Sequence, residues 1–432
     1  MLNRDAYLSA FERYSAQLPA AERQTRSAAL RRFIDIGLPT TDLEEWKYTD
    51  FDKLAGEAVT LAEPSTQPDL AAWRLADADT HVWLNGMPQS SLSPRNAGGE
   101  AFGSSGTDIE SVPIRPNAGE GGGAGDASHP GFAALNTAFA RPGLQLDLAA
   151  GQTLEKPIQA LLVTQPLADG EMVHLQHRIR LGENARATVL LHDLGLGDAT
   201  RWLTQTLDID LAAGAQLQLI RVQDESAGAR SWFQATARLR DGARLDAVQI
   251  DFGGGIVRND WRVALLAPGA TTAVHGLFAP TGRTHVDNHT QIDHRAPHCT
   301  SREFVRGLAW ERAHAVFNGK IVVHPGAQKT DSEQRIANLL LSKQAQINAK
   351  PELEIYADDV KCAHGATFGR LDLTALFYLR TRGVPEAAAR ALLTFSFANQ
   401  ILQHIAWPAL RQAVTARFLA RMGGGLDAGE LT

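Results

Sequence analysis

Near the C-terminal end of the 432-residue chain, the segment KPELEIYADDVKCAHGAT (350–367) sets a thiol and an imidazole two positions apart, Cys362 and His364. Residues two apart on a β-strand share a face, with Cα atoms roughly 6–7 Å from each other. A thiolate beside an imidazole can bind iron or take up sulfide, because the neighbour depresses the thiol pKa. A plainer reading makes Cys362 a small hydrophobe filling a coil and His364 a partner for a corner carbonyl. The two residues by themselves leave both readings open.

A second cluster, THVDNHTQIDHRAPHCT (284–300), holds His285, Asp287, His289, Asp293, His294, His298 and Cys299. On an extended strand His285, Asp287 and His289 form a comb of metal-ligand types on one face. A solvated strand face has the same alternation, and the spacing matches no recognised ligand signature. Other chemistry is missing. The chain contains no G-x-x-x-x-G-K-[ST], no G-x-S-x-G and no paired C-x-x-C, and Gly195-Leu196-Gly197 is a lone G-x-G without Rossmann context.

The elements that would hold these residues are strands. Leu353, Ile355 and Ala357 alternate with Glu354, Tyr356 and Asp358, and Asp358-Asp359 offers a corner. Upstream, Gly214-Ala215, Gly242-Ala243 and Gly269-Ala270 stand 28 and then 27 positions apart, each followed by an alternating run. Related corners are expected at Gly326-Ala327 and Gly365-Ala366. No helical pattern interrupts residues 144–365. A fixed period of short strands with small corner residues predicts stacked coils, a β-helix. A hairpin sandwich is the competing architecture, but its preferred turns are Asn-Gly and Asp-Gly, and only Asp241-Gly242 among these corners qualifies.

Helices flank this region. Tyr7, Phe11, Tyr14 and Leu18, then Leu30, Phe33 and Ile34, mark two helices between residues 3 and 36, with Trp46 and Tyr48 as aromatic anchors beyond them. Residues 94–130 are rich in Gly, Ser and Pro and read as a linker; FAALNTAFA (132–140) is a short helix. After Thr367, Asp372 or Thr374 can cap a helix through Leu376, Phe377 and Leu379 that Gly383 ends. Leu393, Phe397, Ile401 and Ile405 mark the next helix, Leu410, Val414 and Phe418 the last. These helices suit either a solenoid cap or a docking surface.

Composition excludes some functions. A net charge of −6 argues against a nucleic-acid binder. No stretch of about 18 uncharged apolar residues predicts a membrane span. The opening MLNRDAYLSAFERY lacks the apolar run of a signal peptide, and two cysteines fit a reducing cytoplasm.

Five segments resemble the SufB/SufD family of the SUF iron–sulfur cluster assembly system. They are GLPTTDLEEWKYTD (37–50), HPGFAALNTAFA (129–140), HVDNHTQIDHRAPHCTSREFVRG (285–307), AQKTDSEQRIANLLLS (327–342) and PELEIYADDVKCAHGATFGRLDLTALFYLRTRGV (351–384). The resemblance implies a mainly β fold: a right-handed parallel β-helix (solenoid) core between N-terminal and C-terminal helical domains. The expected division is 1–93, a linker at 94–130, the core at 131–367 and the C-terminal domain at 368–432. It further implies pairing with a SufB-like paralogue and docking of a SufC ATPase on the C-terminal helices, through Leu376, Phe377, Tyr378, Arg380, Arg382 and Gly383. A homodimer is the arrangement open to the chain when the paralogue is absent.

The family histidine acting at that interface falls on His364, with Cys362 beside it. The principal sulfur-acceptor cysteine of SufB has no counterpart near Arg335 to Ser342, so the resemblance is to the branch of the family that lacks it. The expected role is a non-catalytic scaffold. Iron or a transient iron–sulfur cluster would be shared with the partner, and none held by this chain alone. The alternatives are a β-helix metalloenzyme built on His285, His289 and Asp287, and a β-helix carbohydrate enzyme using Asp287 and Asp293.

Overall fold

The computed structural model describes residues 3–51, 59–63, 66, 68–89, 107–108, 128–165 and 168–422. From Arg141 to Gly369, consecutive strands alternate between two ten-stranded sheets, and each strand pairs in parallel with the strand two places on. One sheet ends with Ile256–Leu265, His285–His294, His314–Val323 and Gln346–Ile355; the other ends with Thr271–Phe278, Thr300–Ala309, Asp331–Leu340 and Lys361–Gly369. The molecule is thus a parallel β-solenoid of about eight turns and not a hairpin sandwich.

Register turns the sequence period into columns. Gln216, Arg244, Thr271, Thr300, Asp331 and Lys361 stack in one column. The residue before each of the first four sits at the corner and is fully buried: Ala215, Ala243, Ala270 and Cys299. Gly214, Gly242 and Gly269 precede the alanines at φ 67, 59 and 73°, a left-handed turn that a Cβ makes costly. In the fourth turn His298 adopts φ 61° instead. Cys299 therefore fills the alanine position, its Sγ donating to the Ala267 carbonyl at 3.3 Å. Gly365-Ala366 is not a corner, contrary to expectation. It lies within the strand Lys361–Gly369, because the last turn is closed by Asp358-Asp359.

The N-terminal helices α1 (Arg4–Ser15) and α2 (Ala20–Ile36) pack with α3 (Pro130–Phe139) around Tyr7, Phe33, Phe132 and Phe139. Trp46 stacks on Phe132 at 5.6 Å and is buried, whereas Tyr48 stays 46% exposed. Within the stretch expected to be helical up to residue 93, Asp79–Leu84 is instead a strand. It pairs in parallel with Ile158–Thr164 and buries Val82, Trp83 and Leu84. The predicted linker lies outside the described residues except for 107–108 and 128–130.

Helices α4 (Leu373–Thr381), α5 (Glu386–Leu402) and α6 (Pro408–Arg421) follow the solenoid. Ala398, Ile401, Leu402, Leu410, Val414 and Phe418 cover the outward residues Ile220, Val222, Val248 and Ile250. Arg417 and Arg421 then grip the buried Asp224 at 2.6 and 2.5 Å. Among the described residues, no helix is long and apolar enough to cross a membrane.

Candidate functional site at the open end of the solenoid

Gln346–Ile355 and Lys361–Gly369 are the outermost strands of their sheets. Cys362, His364, Ala366 and Phe368 continue the columns of Ser332, Gln334, Ile336 and Asn338, all four of which are buried. The last turn thus presents an inward-facing row, yet its members are half-buried or exposed. Phe368 is 52% and Ile355 42% exposed. Cys362 and His364 are brought to this end on one face, as their spacing predicts.

The thiol sits in a largely apolar setting beside an acid. Cys362 packs on the edge of the main core with Leu353, Ala357 and Val360. Burial, then the Asp331 carboxylate, push its pKa up, and a backbone hydrogen bond from Ser332 only partly opposes them. Of the two readings the spacing left open, this environment suits the small hydrophobe, because the charged group acting on the sulfur is an acid and not an imidazolium.

Beneath His364 the column contains two polar residues that the sequence reading did not single out. Gln334 pairs in register with His364, and Glu303 with Gln334. Both are fully buried, and Gln334 Nε2 donates to Glu303 Oε2 at 2.5 Å. Burial raises the Glu303 pKa, while the nearby Thr290 hydroxyl and the hydrogen bond from Gln334 act against that rise. The signal available in the sequence was the near-even spacing of residues 303, 334 and 364.

The 284–300 cluster has a different role from a metal comb. Arg258 Nη1 donates to Asp287 Oδ2 at 2.8 Å and to the Glu45 carbonyl at 2.7 Å, and Arg258 Nε donates to Asp260 Oδ1 at 3.0 Å. The guanidinium carbon stands 4.2 Å from the Trp46 ring. Thr49 donates to Asp287, its Oγ1 lies 2.8 Å from His285 Nε2, and His289 sits 3.0 Å from the other Asp287 oxygen. Burial alone would raise the Asp287 pKa, but Arg258 and then His289 outweigh it and hold it well below the usual carboxylate range. Asp287 is thus committed to an ion pair that fastens residues 44–51 onto the outer sheet face. Among the described residues, no three His, Cys, Asp or Glu side chains converge as a metal site. The face is neither a ligand comb nor solvated. Nearby, Asp293 pairs with His324 at 2.9 Å.

The sequence comparisons agree with this architecture. The family model for the SUF system FeS cluster assembly SufBD core domain matches residues 164–397. The iron–sulfur cluster assembly protein SufD of Escherichia coli is 31% identical over 400 residues, covering 92% of each chain. A SufBD-family iron–sulfur cluster assembly protein of Synechocystis is 30% identical over 403 residues, 88% of each chain.

The chain belongs to the SufB/SufD family.

Within that family its likeness is to SufD, and its role lies in SUF iron–sulfur cluster assembly. The matched core takes in the open end and the C-terminal helices as far as the middle of α5. Asp372 caps α4, its Oδ1 accepting from the Thr374 amide at 2.8 Å, and Gly383 ends the segment at φ 88°. Phe377 and Tyr378 are 68% and 57% exposed. Arg382 lies 5.2 Å from the Tyr378 ring, and Arg380 pairs with Glu386 at 3.4 Å. Leu376 is the exception among the predicted docking residues: its side chain is buried within the protein.

Proposed function

We propose that this chain is a non-catalytic scaffold subunit of a cytoplasmic SUF complex. Its open end pairs with that of a SufB-like paralogue, and its C-terminal helices dock a SufC-type ATPase. The observation that carries this reading is the last turn, on which no further strand pairs among the described residues. Two edge strands lie there with Ile355 and Phe368 exposed on a row that is buried in preceding turns. Unpaired strand edges are templates for further pairing, and each Å² of apolar surface left in water forgoes about 25 cal/mol. A second solenoid end of like dimensions satisfies both.

In that interface His364 supplies a neutral imidazole to iron, Cys362 assists, and the main sulfur acceptor comes from the paralogue. Iron or the nascent cluster is cargo shared by the two chains. The exposed Phe377, Tyr378, Arg380, Arg382 and Gly383 form the ATPase contact. Only residues 370–372 separate α4 from the strand bearing Cys362 and His364, so ATP-driven movement of α4 repositions that strand. The test is co-expression with a SufB-like and a SufC-like protein. The three should co-purify, and His364→Ala should keep the complex while losing cluster assembly. Failure to co-purify, or undiminished assembly by the variant, refutes the proposal.

A further inference from the structure

Partly buried arginines on the outer faces of this solenoid pair with acids on a neighbouring strand: Arg178 with Asp147, Arg238 with Asp210 and Arg302 with Asp331. Arg306 does not. Among the described residues it has no ion-pair partner. Its Nε and Nη2 both donate to Gln400 Oε1 on α5, at 3.0 and 2.7 Å, and its Nη1 donates to the Val305 carbonyl at 3.0 Å. A guanidinium carries five N–H groups, so part of its donor set is left for another acceptor. The Phe397 ring of α5 lies 5.6 Å from the guanidinium carbon and sets its place against the helix.

The charge acting on Arg306 has its own sign. Arg335 stands on the next strand towards the open end and is exposed. With burial, it pulls the Arg306 pKa below the ordinary arginine value. Arg335 itself pairs with Glu333 of its own strand, an exposed pair that contributes little. The helices alongside are basic too: residues 370–422 carry seven arginines against Asp372 and Glu386, in a chain whose net charge is −6. Arg417 and Arg421 are committed to Asp224, while Arg380 and Arg390 share Glu386.

We propose that Arg306 and Arg335, on the flank of α5, receive an acidic side chain of the ATPase subunit docked on α4, one carboxylate bridging the two guanidinium groups. Planar guanidinium groups match a carboxylate in paired hydrogen bonds, which a lysine could not reproduce. The place is continuous with the α4 contact. Arg380 of α4 meets Glu386 of α5 at 3.4 Å, and α5 meets the strand Thr300–Ala309 through Gln400 and Arg306. The inference rests on the reading that α4 docks an ATPase, and it adds the chemistry of the partner, an Asp or Glu, and a second anchor on the solenoid itself.

The test is calorimetric titration of the full chain with the SufC-like ATPase at low and high salt. Arg306→Gln should bind about tenfold or more weakly at low salt, the loss of a hydrogen bond to a charged group, and the deficit should shrink at high salt. Arg335→Gln should do the same and touches no residue of α5, so it stands in if Arg306→Gln loosens the helix. Arg411→Gln, an exposed arginine of α6, should bind like the parent. Parental affinity in either folded variant, or a deficit equal at both salts, overturns the carboxylate contact and spares the docking reading. A parent chain that binds no ATPase overturns both.

Discussion

Replacing Arg258 with Met should detach the N-terminal segment from the solenoid before it unfolds the solenoid itself. The guanidinium is fully buried, Asp260 and Asp287 are 4% and 1% exposed, and no solvent can reach in to rescue either carboxylate. Removing one partner of a buried pair costs about 3–5 kcal/mol, largely because the other charge is stranded. Here a single substitution strands two acids on adjacent strands, and also removes the bond to the Glu45 carbonyl and the cation–π contact with Trp46. The effect should concentrate on residues 44–51, since only the segment they belong to can move away and let water in. Amide hydrogen exchange reads this directly: protection around Trp46 to Thr49 should fall while the inner strands keep theirs. Adding Asp287→Asn should restore part of the loss, because the two sites share one network. Arg244→Met provides the control, as the exposed Arg244–Asp246 pair is worth about 0–1 kcal/mol. Unchanged exchange at residues 44–51 in Arg258→Met would falsify the claim that this ion pair holds the N-terminal segment.

Acid should destabilise the chain well above the carboxylate range. Burial holds the imidazoles of His129, His177, His285 and His294 at about 4 and those of His174 and His275 at about 3. The unfolded chain therefore binds more protons below its ordinary histidine value of about 6.5, and each of these groups removes up to about 1.4 kcal/mol of stability per pH unit between there and its folded value. Urea midpoints at pH 7.5, 6.5 and 5.5 should fall progressively, and a flat series would contradict the burial assigned to these rings. Gly319→Ala should cost about 1–3 kcal/mol by forcing Gln334 and Glu303 aside, measured as a lower denaturation midpoint; a neutral outcome would mean the two side chains do not occupy that space. In an alkylation time course at pH 7.5, Cys362 should react more slowly than a free thiol and Cys299 hardly at all, with Asp331→Asn accelerating Cys362. Rapid labelling of Cys362 in the parent protein would contradict the raised thiol pKa.

The solenoid was legible because its cause is local and repeated. Each Gly-Ala corner needs a left-handed residue followed by a small one, and that demand recurs once per turn, so the period survives in a single sequence. The place of Cys362 and His364 was legible for the same reason, as strand parity is a local property. What escaped depends on what lies across a gap of tens or hundreds of residues. The comb of His285, Asp287 and His289 looks like a solvated face until Thr49 and Arg258 are placed against it, and nothing within residues 284–300 announces either partner. Gly365-Ala366 matches the corner pair in composition, but the last turn had already closed at Asp358-Asp359, so the same dipeptide falls in the middle of a strand. Glu303 illustrates the limit most clearly. In REFVRG it sits beside Arg302 like any surface acid, and only the register that stacks residue 303 under 334 and 364 turns it inward. Parity along one strand cannot say which parity is inside; the neighbouring turns decide that, by placing Val274 and Ala247 below Glu303 in the same column. A charged side chain in a column begun by apolar ones is therefore a feature of the stack, and its chemistry can be read only after the coils are wound.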